Sequence, residues 1–360
     1  MTATLRAIGT CVPEHALTRA EAARLAGEIS GADERRARML RALADRTGID
    51  RRGLTIADGT GGQSFYRAGR PPTTGERMEA YRGASLGMAE PACRDALRRA
   101  GVDASSVTHV VVASCTGFGA PGIDQALMRG LGIPRDARRT IVGFMGCHGA
   151  INALAVGAAF THADPDAVVL VCAVEVCGLH FSFDDEPDHV LANTLFADGA
   201  AAAILTGRPA PGCPHICSTA SVLIPDSHTL MRWDIGDHGF RMRLSPKVPD
   251  VLATHVPAWI DGVLRDRGLA RADVGGWAIH PGGPRIVDVL RESLGLRDDQ
   301  VEPSRKVLRS HGNMSSATVL FILRDLWARD AATPWVGMAF GPGLAGEAVV
   351  LGAPQKASAP

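Results

Sequence analysis

A chain of 360 residues carries 38 basic and 38 acidic side chains, with 46% hydrophobic and only 5% aromatic residues. That length allows two domains or one large two-lobed unit with an ample core, and the balanced charge gives no global attraction for nucleic acid or an anionic membrane. Gly 41 and Pro 22 fall well short of a collagen-like or low-complexity composition, so disorder is excluded as the main description.

Eight cysteines are scattered along the chain without the dense, regular spacing of a disulfide scaffold. The start, MTATLRAIGTCVPEH, lacks a basic region followed by an apolar run of signal-peptide length. The longest apolar stretches, Ala167–Val174 and Ala200–Leu205, are too short to span a bilayer. A cytoplasmic, reduced protein without nucleic-acid or membrane partners is the expectation.

In chain order, a Pro/Gly-rich stretch at Ala57–Gly75 reads as a surface excursion, and a helix is expected over Thr74–Ala100. Strands are expected at Val107–Cys115, Thr140–Met145, Ala167–Glu175 and Ala200–Leu205, with a helix over Gly149–Thr161. Thr206–His215 (TGRPAPGCPH) is the best hinge, which divides residues 1–210 from 211–360. Beyond it come helices at Pro249–Arg267 and Arg285–Leu294 and strands at Val274–His280, Pro334–Phe340 and Glu347–Leu351, before a tail at Ala353–Pro360 that should fray. No repeat of 20–50 residues appears. A looser echo does, because Val107–Cys115 and Val274–His280 each follow an amphipathic helix that ends in glycine. Alternating strands and helices built as two related halves predict α/β layers.

Three residues at strand-to-helix junctions could carry chemistry. Cys147, in IVGFMGCHGAINAL, precedes a small-residue helix whose dipole and free N–H groups favour a thiolate; the alternative is a buried, inert thiol. His280 ends WAIHPGGP, where a rigid Pro-Gly-Gly turn would hold an imidazole at the mouth of a strand. Asn313, in HGNMSSATVLFIL, is either a helix cap or an amide donor aimed at a developing oxyanion. A thiol, an imidazole and an amide donor together make an acyl-transfer set.

Two other patterns lose on context. Gly341-Pro-Gly343-Leu-Ala-Gly346 matches a dinucleotide fingerprint, but too little chain follows it for the crossover helix and acidic residue, so it reads as a turn between strands. Cys213-Pro-His215-Ile-Cys217 has metal-binding residue types but lacks a partner pair of ligands.

The segments GFMGCHGAINAL, TLFADGAAA, IHPGGP, HGNMSSATVLFIL and AFGPGLAGEAVVL run in an order that resembles the type III polyketide synthases, the chalcone synthase-like branch of the thiolase superfamily. The GFMGC wording is closer to bacterial alkylpyrone and alkylresorcinol synthases. The resemblance implies a five-layer αβαβα fold of two similar halves, normally a homodimer. It makes Cys147 the acyl-carrying nucleophile and His280 and Asn313 the decarboxylation and oxyanion site. It also places Phe196 and Met242 at the gatekeeper positions. Trp233 stands where plant members have a cavity glycine, and Ala120 where they have a methionine that crosses the dimer interface. Cys115, Cys177 and His180 fall at other cavity positions, while Ser315 and the arginine-rich Arg35–Arg52 segment, with Arg41 and Arg46, fall where CoA would bind.

The implied reaction is iterative decarboxylative Claisen condensation of malonyl-CoA onto an acyl-CoA starter, a fatty one by the alkylpyrone and alkylresorcinol likeness, ending in a pyrone or resorcinol. CoA thioesters are substrates, and no metal or redox cofactor is required. Rival readings are a single-condensation enzyme of the ketoacyl synthase III type and a papain-like cysteine hydrolase. The second lacks the C-G-[SA]-C-[WY] signature.

Overall fold

The computed structural model describes residues 3–55, 65–66, 70–184 and 186–353. Most of the expected excursion at Ala57–Gly75 and the tail beyond residue 353 lie outside the described residues.

The first half contains β1 (Ala3–Cys11), β2 (Ala16–Thr18), α1 (Arg19–Ser30), α2 (Glu34–Thr47), β3 (Arg51–Gly53), α3 (Thr74–Ala100), β4 (His109–Ser114), α4 (Ile123–Leu131), β5 (Arg138–Gly143), α5 (Gly149–Ala163), β6 (Val168–Val176), α6 (Pro187–Leu195) and β7 (Asp198–Thr206). The second contains β8 (His215–Leu223), β9 (Met231–Gly236), β10 (Gly239–Leu244), α7 (Val248–Arg265), β11 (Gly276–Ile279), α8 (Pro284–Leu294), α9 (Asp298–His311), α10 (Thr318–Ala328), β12 (Trp335–Gly341) and β13 (Ala345–Gly352).

Nine strands hydrogen-bond in the order β11-β12-β13-β8-β1-β7-β6-β4-β5. Read outward from the centre, each half runs first strand, last strand, penultimate strand, then an inner one: β1-β7-β6-β4 and β8-β13-β12-β11. The directions repeat too. β4 is parallel to β6, β6 is antiparallel to β7, and β7 is antiparallel to β1; β11 is parallel to β12, β12 is antiparallel to β13, and β13 is antiparallel to β8. Among the described residues, two register pairs, Ala3↔Ile216 and Thr4↔His215, carry the ladder from one half to the other. The echo between Val107–Cys115 and Val274–His280 is therefore the correspondence of β4 with β11.

Three apolar cores fill the spaces between these layers. One packs α3 and α4 against the first half's sheet, a second lies between the two halves around α5 and α10, and a third packs α7 and α8 on the second half. The layers are thus αβαβα. Helix α5 is apolar almost all round because sheet covers it on two sides, with Ile151 and Leu154 fully buried. Each such side chain contributes roughly 1.5–3 kcal/mol by leaving water. Strands β4, β6 and β7 are continuous apolar runs for the same reason.

The expected strands appear within a few residues of their predicted bounds, and GPGLAG is the turn from β12 to β13. The sequence reading missed β1, β8, α6 and the β9–β10 hairpin. Strand β8 (HICSTASVL) is only half buried, so its Ser and Thr residues mask the alternation. The hairpin signal was present as MRWDIG-DH-GFRMRL, with Gly239 at φ 100° closing the turn. Among the described residues no helix is long and apolar enough to cross a membrane.

Candidate active site

The nucleophile's position follows from two unusual backbone angles after β5. Phe144 at φ 56° and Gly146 at φ 74° reverse the chain into a short 3-10 turn, Gly146–His148, that leads into α5. A Cβ on Gly146 would lie 2.4 Å from Pro342 Cδ, so both the angle and the space demand glycine. Cys147 is thereby held at the head of α5, buried, and facing the segment that follows α9.

That segment carries Asn313. Its backbone bridges Phe196, with Asn313 N–H donating to Leu195 O (3.0 Å) and Ala197 N–H donating to Asn313 O (2.8 Å). The side chain does not cap a helix in the ordinary way. Its Oδ1 accepts from Ser315 N–H (2.9 Å), its Nδ2 donates to Gly282 O (3.4 Å), and α10 begins only at Thr318. Ser315 sits at φ 47°, a strained angle for a non-glycine residue, and its Oγ is 3.2 Å from Cys115 Sγ. Both Asn313 and Ser315 lie close enough to the Cys147 thiol to pull its pKa down.

His280 follows β11 directly, fixed by its N–H to Met338 O (2.8 Å) and by the Pro-Gly-Gly turn after it. It is 1% exposed, yet neither ring nitrogen has a hydrogen-bond partner among the described residues. Leaving a buried polar group unpaired costs about 1–3 kcal/mol, and such orphaned nitrogens mark a place for a ligand atom.

Burial decides the charge states of the empty site. It pushes the Cys147 thiol up to about 12, outweighing the pull of Ser315 and Asn313, and the nearby Glu175 carboxyl pushes the same way. Burial also brings His280 down to about 3, helped by His148. Burial therefore opposes the helix-dipole bias toward a thiolate and favours the neutral form of each group on its own. A thiolate arises only if the proton moves onto an imidazole, creating two charges that compensate each other.

Glu175 is the residue that sequence reasoning missed. It is fully buried and accepts from Cys115 N–H (3.0 Å), Thr116 Oγ1 (2.7 Å) and Ser316 Oγ. Burial raises its carboxyl above the usual range against the pull of those hydrogen bonds. A lone carboxylate inside the apolar run VVLVCAVEV was the available signal.

A cavity of about 1010 Å³, part of it open to solvent, ends at Cys147. Its wall includes Phe196, Met242, Trp233, Cys115, Cys177, His180 and Ser315, seven of the residues singled out from sequence. Trp233 and Met242 face each other across the β9–β10 hairpin, and Trp233 Nε1–H donates to Cys115 O (2.7 Å), which fixes the indole across the inner end. His180 is locked: Nδ1 accepts from Phe240 N–H (3.0 Å), Nε2–H donates to Thr116 O (2.6 Å), and the ring stacks on Phe240 at 4.1 Å.

The remaining sequence-selected residues lie elsewhere. His280 and Asn313 are both 1% exposed and are not among the residues that line the cavity. Ala120 is exposed, at a cis Ala120–Pro121 bond. Arg41 and Arg46 are exposed on α2, apart from Ser315 beside the thiol, so the three residues assigned to CoA do not form one cluster. The cavity also reaches Ala22, Leu25, Ala26 and Ile29 of α1, an outer apolar slot that the sequence reading did not foresee.

Comparison with known proteins matches residues 1–209 to the N-terminal domain of the chalcone and stilbene synthases and residues 215–354 to their C-terminal domain. The chain belongs to this family. It is similar to 1,3,6,8-tetrahydroxynaphthalene synthase of Streptomyces peucetius subsp. caesius, at 32% identity over 96% of this chain and 92% of that protein. It is 31% identical to the alpha-pyrone synthesis polyketide synthase-like protein Pks18 of Mycobacterium tuberculosis, covering 78% of this chain and 74% of that one. Among solved structures, PKS-I from the brown alga Ectocarpus siliculosus superposes with a TM-score of 0.93 at 27% identity, over 98% of this chain and 99% of that one. The family member described here is an acyltransferase of the type III polyketide synthase class that condenses acyl-CoA with malonyl-CoA.

Proposed function

We propose that Cys147, His280 and Asn313 perform the chemistry of this synthase in one place and that the product is a pyrone or resorcinol-type polyketide. The observation that carries the reading is a buried thiol on the wall of a largely apolar cavity, with the Asn313 amide beside it and the doubly unpartnered His280 imidazole buried close to the neighbouring His148. A starter acyl-CoA enters, and Cys147 passes its proton to His280 as Sγ attacks the thioester carbon; the proton then leaves with the CoA thiol. Malonyl-CoA follows with its thioester carbonyl against the His280 ring and the Asn313 amide. Loss of CO2 leaves an enolate whose oxygen those donors stabilise, because they are already oriented and shielded from water. Its carbon attacks the Cys147 thioester, returning a chain two carbons longer to CoA. Repetition, then ring closure against Phe196, Met242 and Trp233, gives the product. The two halves, divided near residue 210, contribute Cys147 from the first and His280 with Asn313 from the second.

The test is mass spectrometry of products from malonyl-CoA with a panel of short, aromatic and long-chain acyl-CoAs. Products heavier than the starter by successive condensed C2 units are expected. Only a single-condensation product, or hydrolysis of the starter, would overturn the reading.

We also propose a homodimer. Strand β5 is the outermost strand of the sheet and only half covered, and Phe118, Ile141, Phe144 and Met145 are exposed around it at 50%, 53%, 37% and 37%. A bare sheet edge beside large apolar side chains is a surface that proteins cover. A second copy seated there would bring Ala120, on the same face, toward its partner. Light scattering is expected to give about twice the 37.8 kDa chain mass. A monomer at micromolar concentration would refute this. All eight cysteines are free thiols, which supports a reducing, cytoplasmic setting.

A further inference from the structure

Most polar groups on the cavity wall are spent on the protein itself. His180 uses both nitrogens, Thr116 donates to Glu175, and the Asn193 amide is closed in a ring with the Ser182 backbone, accepting from its N–H (3.0 Å) and donating to its O (2.8 Å). Arg52 donates to Phe196 O (2.8 Å) and has Asp198 as its nearby counter-charge.

His189, on the first turn of α6, is different. It is 9% exposed and forms part of the cavity wall. Its Nδ1 is held by Asp184 Oδ1 at 2.6 Å, with Ser182 Oγ at 3.5 Å, while no described residue pairs with Nε2. Asp184 is 45% exposed at its side chain, so the pair runs from the surface inward and marks the rim of the cavity. The loop that carries Asp184 is tethered to α2, where Arg36 Nη2 donates to Phe183 O and Asp184 O at 3.4 Å each.

We infer that His189 is a substrate-binding residue that reads the outer amide of the pantetheine arm of CoA thioesters. The inference rests on the reaction proposed above, since a thioester carbon brought to Cys147 obliges its thiol carrier to run outward along the cavity. Phe196 lies seven positions beyond His189 along α6, a rise of about 10 Å, which suits the second amide of the arm rather than the first. An amide offers both N–H and C=O, so Nε2 finds a partner whether the ring is neutral or charged. Asp184 is the positioning residue that fixes which ring nitrogen faces inward.

The experiment compares kcat/KM for one starter acyl group delivered as its N-acetylcysteamine, pantetheine and CoA thioester. N-acetylcysteamine carries only the inner amide. For His189→Leu, kcat/KM for the pantetheine and CoA esters is expected to fall about fivefold to tenfold relative to the N-acetylcysteamine ester. Asp184→Asn, at a half-exposed position that tolerates substitution, should shift the ratio the same way by about twofold to threefold. An equal change for all three esters, no change, or a loss confined to the CoA ester would overturn the assignment. Failure of the wild-type chain to extend any of the three would instead overturn the proposed reaction.

Discussion

Cys147→Ala is expected to abolish polyketide formation, lowering it by at least about 10⁴-fold, because loading and every chain transfer run through one sulfur. The variant should also lose the mass increase that a starter acyl-CoA leaves on the wild-type chain. The second readout separates a lost nucleophile from a misfolded protein, and the fold should survive. Cys147 heads α5 and its backbone geometry depends on Gly146, while its side chain only fills the end of an open cavity. Release of radiolabelled CO2 from malonyl-CoA gives a further check, since decarboxylation is assigned to other residues and should fall less than condensation. Undiminished polyketide output from the alanine variant would sink the mechanism.

Asn313→Ala is expected to lower the rate of malonyl-CoA decarboxylation by about 10²–10³-fold, the usual cost of removing one preorganised donor from an oxyanion site. Starter loading on Cys147 should suffer much less, because Ser315 remains beside the thiol and also holds its pKa down. Pre-steady-state labelling with starter alone, beside CO2 release from malonyl-CoA alone, separates the two steps. Equal losses in both would mean that Asn313 only holds the loop. That structural role is real, since its backbone pairs with Leu195 and Ala197 and its side chain fixes Ser315 and Gly282, so the comparison is the informative measurement.

Much of this site was legible because it is written at chain punctuation. FMGC, IHPGG and HGN each pair a reactive side chain with glycines that end one element and start another, and the structure places all three residues at such junctions. The cavity wall was legible through family wording, and seven of the named residues line it. Glu175 was not, because a carboxylate in a buried strand shows its partners only when Cys115 with Thr116 and Ser316 arrive from two other segments. His189 was not either, because it acquires meaning from an open cavity on one side and Asp184 on the other.

By itself, then, the sequence determined the α/β alternation and the two related halves, and it singled out a candidate hinge loop and three candidate reactive side chains. Periodicity, turn residues and residue chemistry are local properties, and each is complete within a dozen positions. The tertiary structure decided what those side chains are as chemical groups. Burial opposes the thiolate that the helix dipole favours, pushing the Cys147 thiol up to about 12 and the His280 imidazole down to about 3, an effect of desolvation by residues distant in sequence. It also separated Arg41 and Arg46 from Ser315, opened the slot beneath α1, and left one histidine nitrogen uncommitted at the rim. Those features are distances between segments, set only when the two sheets close on α5 and α10.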